Sequence, residues 1–293
     1  MFGSFKRFDL PPDTVKGFFR NERPEEPTDE EPDEPDPLTK RQIDGLWEQA
    51  ELGNPYAAYR LSRILFDADS PYCNEADAAW YLELSAKKGY HMAQYRLGRM
   101  VLDGDYYDSD PQVAEYWLVL SVKQENAYAE TLLGRLYLTG DFLPSNRKAA
   151  VDLLYRAVSH GNAYAAYTLG CAYADGKHLK QDLSKAIPLL EQAAQMGNPF
   201  AEYRLAKVYL FESDWFDWQK AVEHLNSAAH RGNENAYRAL QNMSRNTVIS
   251  ITTGIADLLG DLSGLFDTRQ PVQDCTTMAV RRERKKQDYE QRM

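Results

Sequence analysis

Arginine and aromatic side chains recur at fixed intervals through the middle of this chain. They stand three, seven and ten residues after a repeated Gly-Asn pair or its equivalent. A guanidinium forms paired hydrogen bonds with a carboxylate or phosphate, and aromatic rings stack on it. The pattern predicts a surface that binds an acidic or phosphorylated protein segment. We call this surface the basic-aromatic ladder; its residues are Tyr56, Arg60, Arg63, Arg96, Arg99, Tyr128, Arg135, Tyr164, Phe200, Arg204 and Lys207.

A second interpretation of the ladder needs no ligand. Asp67 follows Arg63 by four residues, and Asp103 follows Arg99 by the same distance. Such pairs are ordinary contacts on a helix surface, each contributing about 0.2–0.5 kcal/mol. The ladder would then be a solvated helix face, and the sequence leaves both interpretations open.

The five histidines and three cysteines predict neither a catalytic centre nor a metal site. Cys73, Cys171 and Cys275 lie far apart, and no His-x-His or Cys-x-x-Cys pair occurs. The phosphate-binding loop, the Gly-x-Ser-x-Gly nucleophile motif and the His-Glu-x-x-His zinc motif are also absent from the sequence. We therefore expect a protein that is not an enzyme and that binds no cofactor or metal.

The elements that position the ladder form a sequence repeat. Its markers begin at Gly53, Gly89, Glu125, Gly161, Gly197 and Gly232, which are 36, 36, 36, 36 and 35 residues apart. Four residues after each marker stands an alanine, and eight residues after it a leucine, which places both on one helix face. A second apolar periodicity follows in each unit and ends at the next marker glycine. A fixed period of this size predicts stacked helix pairs.

The consensus of these units resembles a known repeat family. The residues from Gly161 to Ala194 fit the pattern Gly-Asn-x-x-Ala-x-Tyr-x-Leu-Gly, followed by Lys-Ala-x-x-Leu-Leu-x-x-Ala, which resembles the Sel1-like repeat, a relative of the tetratricopeptide repeat. The resemblance implies an all-α fold: an α/α solenoid, a right-handed superhelix of about five 36-residue helix-turn-helix repeats. It also implies a scaffold that holds other proteins. The first and fifth units lack the usual loop glycine, so we expect these units to bend differently.

A second resemblance concerns the end of the chain. Units such as Ala93 to Gly98, a short apolar helix and the basic run Arg281 to Lys286 resemble the repeat tails of mobilisation relaxases from conjugative elements of Gram-positive bacteria. The chain has no relaxase histidine cluster. The resemblance implies an alternative function, that of an accessory protein of DNA mobilisation whose basic end contacts nucleic acid or a relaxase.

The net charge favours a protein or peptide partner over nucleic acid, and the ladder favours an acidic one. The formal net charge is -10, which argues against a general nucleic-acid binder. Widely spaced cysteines suit a reducing compartment. We find no signal peptide at the start of the sequence and no apolar run long enough to cross a bilayer. The expectation is a cytoplasmic bacterial protein without membrane insertion.

Four segments are predicted along the chain. Residues 1–38 form a disordered, acidic, proline-rich tail, which either keeps the protein soluble or folds back onto the ladder as an internal competitor. Residues 39–244 form the repeat solenoid. Apolar residues from Val248 to Leu265 recur at steps of three and four, so residues 245–268 form an amphipathic helix that caps the solenoid or binds a partner. Residues 269–293 form a basic tail.

Overall fold

The computed structural model describes residues 40–104 and 106–253, with side chains up to residue 243. In this part of the chain all regular structure is helical, and the contacts divide it into two compact units, residues 40–165 and 166–253. The predicted all-α repeat fold is confirmed. The twelve described α-helices are α1 (Lys40–Glu51), α2 (Pro55–Phe66), α3 (Glu75–Lys87), α4 (His91–Asp103), α5 (Pro111–Val122), α6 (Ala127–Thr139), α7 (Arg147–Ser159), α8 (Ala163–Asp175), α9 (Leu183–Gln195), α10 (Pro199–Phe211), α11 (Trp218–His230) and α12 (Glu234–Thr253).

The Gly-Asn marker explains where the helices end and begin. Gly53 has a φ of 88°, a left-handed conformation that ends α1. The next residue, Asn54, caps α2 because its side-chain oxygen accepts hydrogen bonds from the amides of Tyr56 and Ala57, at 3.0 and 3.3 Å. In the third marker Glu125 takes the left-handed position with a φ of 60°. Two adjacent residues therefore turn the chain from one helix into the next.

The predicted alanine-leucine stripe forms the core of each helix pair. Ala57, Leu61, Ala165, Leu169 and Leu205 have no exposed surface. Consecutive helices pack on each other within each unit, for example α2 on α3 and α10 on α11. Burial of each leucine side chain contributes about 1.5–3 kcal/mol. Most of the helical stability therefore comes from packing along this stripe.

Glycines in the first helices allow close approach of the second helices. A β-carbon at Gly134 would lie 2.9 Å from Leu154 Cγ, and one at Gly170 would lie 2.8 Å from Leu190 Cγ. Carbon atoms in contact prefer about 3.5–4.0 Å. The close packing of the two helices therefore requires a glycine next to the core leucine at these two positions.

The first and fifth units differ at the end of the first helix, as expected. Gly104 and Gly140 end α4 and α6 in the left-handed conformation, whereas α2 and α10 end at Asp67 and Glu212 in extended conformation. A short 3-10 helix, Ser213–Trp215, follows α10. The difference arises because only glycine adopts the left-handed conformation without a steric cost.

The predicted segments extend beyond the described residues at both ends, so their boundaries stay predictions. The repeats follow α1, which begins at Lys40, and α12 continues to Thr253, across the boundary predicted at residue 244. The predicted tails 1–38 and 269–293, and residues 254–268 of the predicted cap, lie outside the described residues. None of the described helices is long and apolar enough to cross a membrane.

Candidate protein-binding surface

In the unit of residues 40–165, the ladder residues are on the surface. Tyr56 is 49% exposed, and the other ladder residues of this unit are partly exposed. The neighbouring Ala57 and Leu61 are fully buried. The structure therefore places the eight predicted residues of this unit outside the core, namely Tyr56, Arg60, Arg63, Arg96, Arg99, Tyr128, Arg135 and Tyr164.

Tyrosines orient two of these arginines. The guanidinium of Arg60 lies over the ring of Tyr56, at 5.9 Å from its centre. Arg135 Nη1 donates a hydrogen bond of 3.2 Å to the hydroxyl of Tyr164, which belongs to the next repeat. Contact with a neutral tyrosine orients a guanidinium without neutralising its charge.

Aromatic contacts also connect successive repeats. The ring of Tyr59 lies 5.2 Å from that of Tyr90, and the ring of Tyr95 lies 5.8 Å from that of Tyr128. Such ring pairs contribute about 0.5–1.5 kcal/mol beyond the burial of their area. Tyr59 and Tyr95, each six residues after a marker, therefore pack between repeats. Tyr128 thus links the ladder to this packing.

One predicted surface ion pair is present in the ladder. Arg99 Nε lies 3.7 Å from the carboxylate of Asp103, and both side chains are partly exposed. An exposed pair at this spacing contributes little to stability. The ladder therefore combines one ordinary helix-surface pair with arginines that rest on tyrosines.

The ladder residues of the second unit have different contacts. Arg204 forms an ion pair with Asp175, and the Lys207 ammonium lies 5.7 Å from the centre of the Tyr203 ring. Phe200 packs against Tyr167 with ring centres 6.4 Å apart. The charge of Arg204 is therefore partly compensated by a carboxylate of its own unit.

Cys171 packs near these residues and is not prepared for nucleophilic chemistry. Burial raises the pKa of the Cys171 thiol, although Arg204, a hydrogen bond to Tyr167 and Lys207 act in the opposite direction. A raised pKa keeps the thiol protonated near neutral pH. Cys171 therefore behaves as a small packing residue.

Two buried glutamates were not anticipated by the sequence analysis. Glu130 is fully buried; its carboxylate lies 2.6 Å from Arg156 Nη2 and 2.8 Å from His160 Nδ1. At the equivalent position of the fifth repeat stands Glu202. The clue was a charged residue five positions after the marker, where the first and fourth repeats have alanine.

The second glutamate uses different partners. Glu202 lies 2.5 Å from His224 Nδ1 and accepts a 2.9 Å hydrogen bond from Ser227 Oγ. The ring of His224 stacks on Tyr209 at 5.6 Å. A serine nucleophile would need its hydroxyl bonded to the histidine, but this hydroxyl donates to the carboxylate. The cluster of Glu202, His224 and Ser227 therefore links α10 to α11 and does not form a catalytic triad.

No group of His, Cys, Asp and Glu side chains within the described residues is arranged to hold a metal ion. The arrangement offers two kinds of polar feature: buried carboxylates that join the two helices of a repeat, and exposed arginines beside aromatic rings. The first kind is structural, and the second can bind anionic groups on a partner.

Helix pairs that repeat every 36 residues, with capped helix starts and a surface of non-core residues, define a tetratricopeptide-like repeat protein. Sel1 repeats match residues 55–90, 91–126, 127–162, 163–198 and 199–233, and the chain belongs to the Sel1 repeat family. No curated protein matches the chain.

One solved structure supports the family assignment, and two others are more distantly similar. A Sel1 repeat protein from Oxalobacter formigenes is 30% identical, with a TM-score of 0.58 over 69% of this chain and 59% of the other. A protective antigen with this fold from uropathogenic Escherichia coli is 22% identical (TM-score 0.44; 66% of this chain and 50% of the other). An immunity protein from Pseudomonas aeruginosa is 18% identical (TM-score 0.46; 70% and 78%). The chain thus spans about half to three fifths of the first two proteins. Sel1 repeat proteins are in general non-catalytic scaffolds for protein interactions.

Proposed function

We propose that this chain is a scaffold whose first helices bind an acidic segment of a partner protein through the basic-aromatic ladder of residues 40–165. The observation that carries the proposal is the placement of arginines on tyrosines. Arg60 lies over the half-exposed Tyr56, and Arg135 bonds to Tyr164 of the following repeat. This arrangement holds cationic groups in the first and third repeats of a protein whose net charge is -10.

The spacing of the ladder favours an extended ligand. Arg60 and Arg96 occupy the same position in successive repeats, and neighbouring helices pack about 8–10 Å apart. An extended peptide rises about 3.3 Å per residue, so acidic residues three positions apart would match this spacing. Each charge-assisted hydrogen bond contributes about 1.5–3 kcal/mol to binding when the partner groups are desolvated.

The test uses the full-length chain and a fluorescent decapeptide in which every third residue is glutamate. We expect the peptide to bind, and its glutamine counterpart to bind at least tenfold more weakly. The double variant R60E/R96E is expected to lose at least tenfold in affinity. Arg147→Glu is the control matched in charge to R60E alone, because Arg147 is an exposed arginine at the start of α7 outside the ladder, and its affinity should change less than twofold.

Two results would contradict the proposal. One is equal binding of the glutamate and glutamine peptides, and the other is an equal loss of affinity in R147E and R60E/R96E. Far-ultraviolet circular dichroism verifies that each variant keeps its helical content, so that a loss of binding is not a loss of fold.

A further inference from the structure

Two second helices expose aromatic rings at equivalent positions. Trp80 on α3 is 58% exposed and Tyr116 on α5 is 59% exposed, and they are 36 residues apart. Val113, one turn before Tyr116, is 42% exposed. Both helices pack against α4. We call Trp80, Val113 and Tyr116 the second-helix patch.

The patch is additional to the packing that the fold requires. The core contacts of α3 are made by Ala78, Ala79, Tyr81 and Leu82, whereas Trp80 points away from that side. In the later second helices the position of Trp80 and Tyr116 is occupied by Asp152, Pro188 and Glu223, all exposed. Large apolar side chains that stay exposed at equivalent positions of two repeats are candidates for an interaction surface. The patch is therefore a feature of two repeats and not of the repeat consensus.

The charge around the patch selects the kind of group that binds there. Helices α3 and α5 together carry four acidic residues and one basic residue, whereas α7 carries three basic residues and one acidic residue. Asp77, exposed, stands one turn before Trp80. The occupant must therefore be aromatic or apolar and also basic. A second copy of the same patch would bring acidic residues together, which disfavours a symmetric dimer through this face.

One segment of this chain has the required composition. Residues 2–20 contain five phenylalanines and four basic residues against two acidic ones. The other segments outside the described part fit less well: residues 22–36 are acidic, residues 254–268 carry Asp257, Asp261 and Asp267, and the basic segment 281–293 contains a single aromatic residue, Tyr289. Phenylalanine rings with flanking Lys and Arg complement Trp80, Tyr116 and the nearby carboxylates.

The connection between this segment and α1 is long enough. Residues 21–39 separate the segment from α1. Nineteen residues rich in proline span up to about 59 Å at about 3.1 Å per residue. Two helix-pair steps from α1 to α5 cover about 20 Å at 8–10 Å per packed helix. We propose that residues 2–20 dock on the second-helix patch of their own chain, on helices other than those that carry the ladder.

Photo-cross-linking in the full-length chain tests the proposal. The photoreactive amino acid p-benzoylphenylalanine replaces Tyr116 in one variant and Asp152, the equivalent exposed position of α7, in the control. We expect position 116 to capture peptides from residues 2–20 at least fivefold more efficiently than position 152. The additional changes F5S/F8S and K6E/R7E, made separately, should each reduce this capture at least threefold.

A mixture of isotopically heavy and light chains separates docking within one chain from docking between chains. Cross-linked peptides that are only heavy-heavy or light-light support the proposal. Mixed pairs in statistical proportion would overturn it in favour of exchange between two copies. Capture of residues 2–20 equally by positions 116 and 152, or by neither, would also overturn it, provided that circular dichroism shows both variants folded.

Discussion

The two compact units are built from the same repeat, but the arginines at its surface positions have different contacts in each unit. In residues 40–165, Arg60 lies on Tyr56 and Arg135 bonds to Tyr164, whereas in residues 166–253 Arg204 pairs with Asp175. The buried glutamates differ in a parallel way, since Glu130 contacts Arg156 and His160 while Glu202 contacts His224 and Ser227. Equivalent positions of the repeat thus make different side-chain contacts in the two units.

The largest expected effects on stability come from the close helix contacts in both units. Changing Gly134 or Gly170 to alanine places a β-carbon within 2.9 or 2.8 Å of a leucine Cγ, so each variant should lose about 1–3 kcal/mol of unfolding free energy. Urea titration followed by circular dichroism measures the loss. Gly45→Ala in α1 is the control: nothing lies within 4 Å of its β-carbon, and we expect no loss of stability.

Equal stability of G134A and the unchanged chain would show that α6 and α7 do not approach each other closely at Gly134 and Leu154. Hydrogen exchange of α6 and α7 against that of α8 and α9 shows in which unit each glycine substitution acts.

A smaller effect is expected from the buried glutamates. Glu130→Ala removes the carboxylate from both Arg156 and His160; because those side chains are 48% and 32% exposed, water compensates part of the loss, and we expect about 1–2 kcal/mol. Glu202→Ala leaves the Ser227 hydroxyl and the partly exposed His224 imidazole without their carboxylate, and should reduce the free energy of unfolding by about 1 kcal/mol. Urea unfolding compares the two variants, and a larger loss in E202A than in E130A would reverse the ranking of the two clusters.

A still smaller effect is expected on peptide affinity when the ion pair of Arg204 is removed. Asp175→Asn releases Arg204 from its ion pair, which is worth about 0.2–1 kcal/mol because Asp175 is half-exposed. We expect the affinity for the glutamate decapeptide to rise by no more than about fivefold, as measured by fluorescence anisotropy. Asp152→Asn, which removes an exposed acid outside the ladder, controls for the change in net charge. A fall in the affinity of D175N would exclude a masking role for Asp175.

The thiols give the smallest expected difference between the units. Cys73 is exposed in the first unit, whereas burial raises the pKa of Cys171 in the second. Because the thiolate is the reactive form, iodoacetamide at pH 8 should alkylate Cys73 before Cys171. Peptide mass spectrometry follows both sites in one sample, with C73S as the control for peptide assignment. Faster alkylation of Cys171 would indicate that α8 opens readily to solvent.

The sequence predicted the fold well because the repeat signal is local. Each structural signal depends on a few neighbouring residues: the Gly-Asn cap, the Ala-Leu stripe and the glycine that allows close approach of the second helix. These signals recur every 36 residues. The site was harder. The partners of Arg135 and Arg204 lie 29 residues away, in an adjacent repeat, so no local pattern reveals them. The glutamate clusters were missed for the same reason, since His160 is 30 residues from Glu130.

The marker pair has a consequence for how such a chain can change its length. Gly53 and Asn54 alone end one helix and cap the next. A gene that is recombined from one marker to another therefore encodes a chain in which every helix cap is intact. Duplication or loss of 36 residues between markers therefore needs no new loop, and unequal recombination can add or remove a whole helix pair in one event. Gene rearrangement then sets the number of arginine positions available to a ligand. Substitutions at single positions, such as that of Asp175, change the contacts of one arginine at a time.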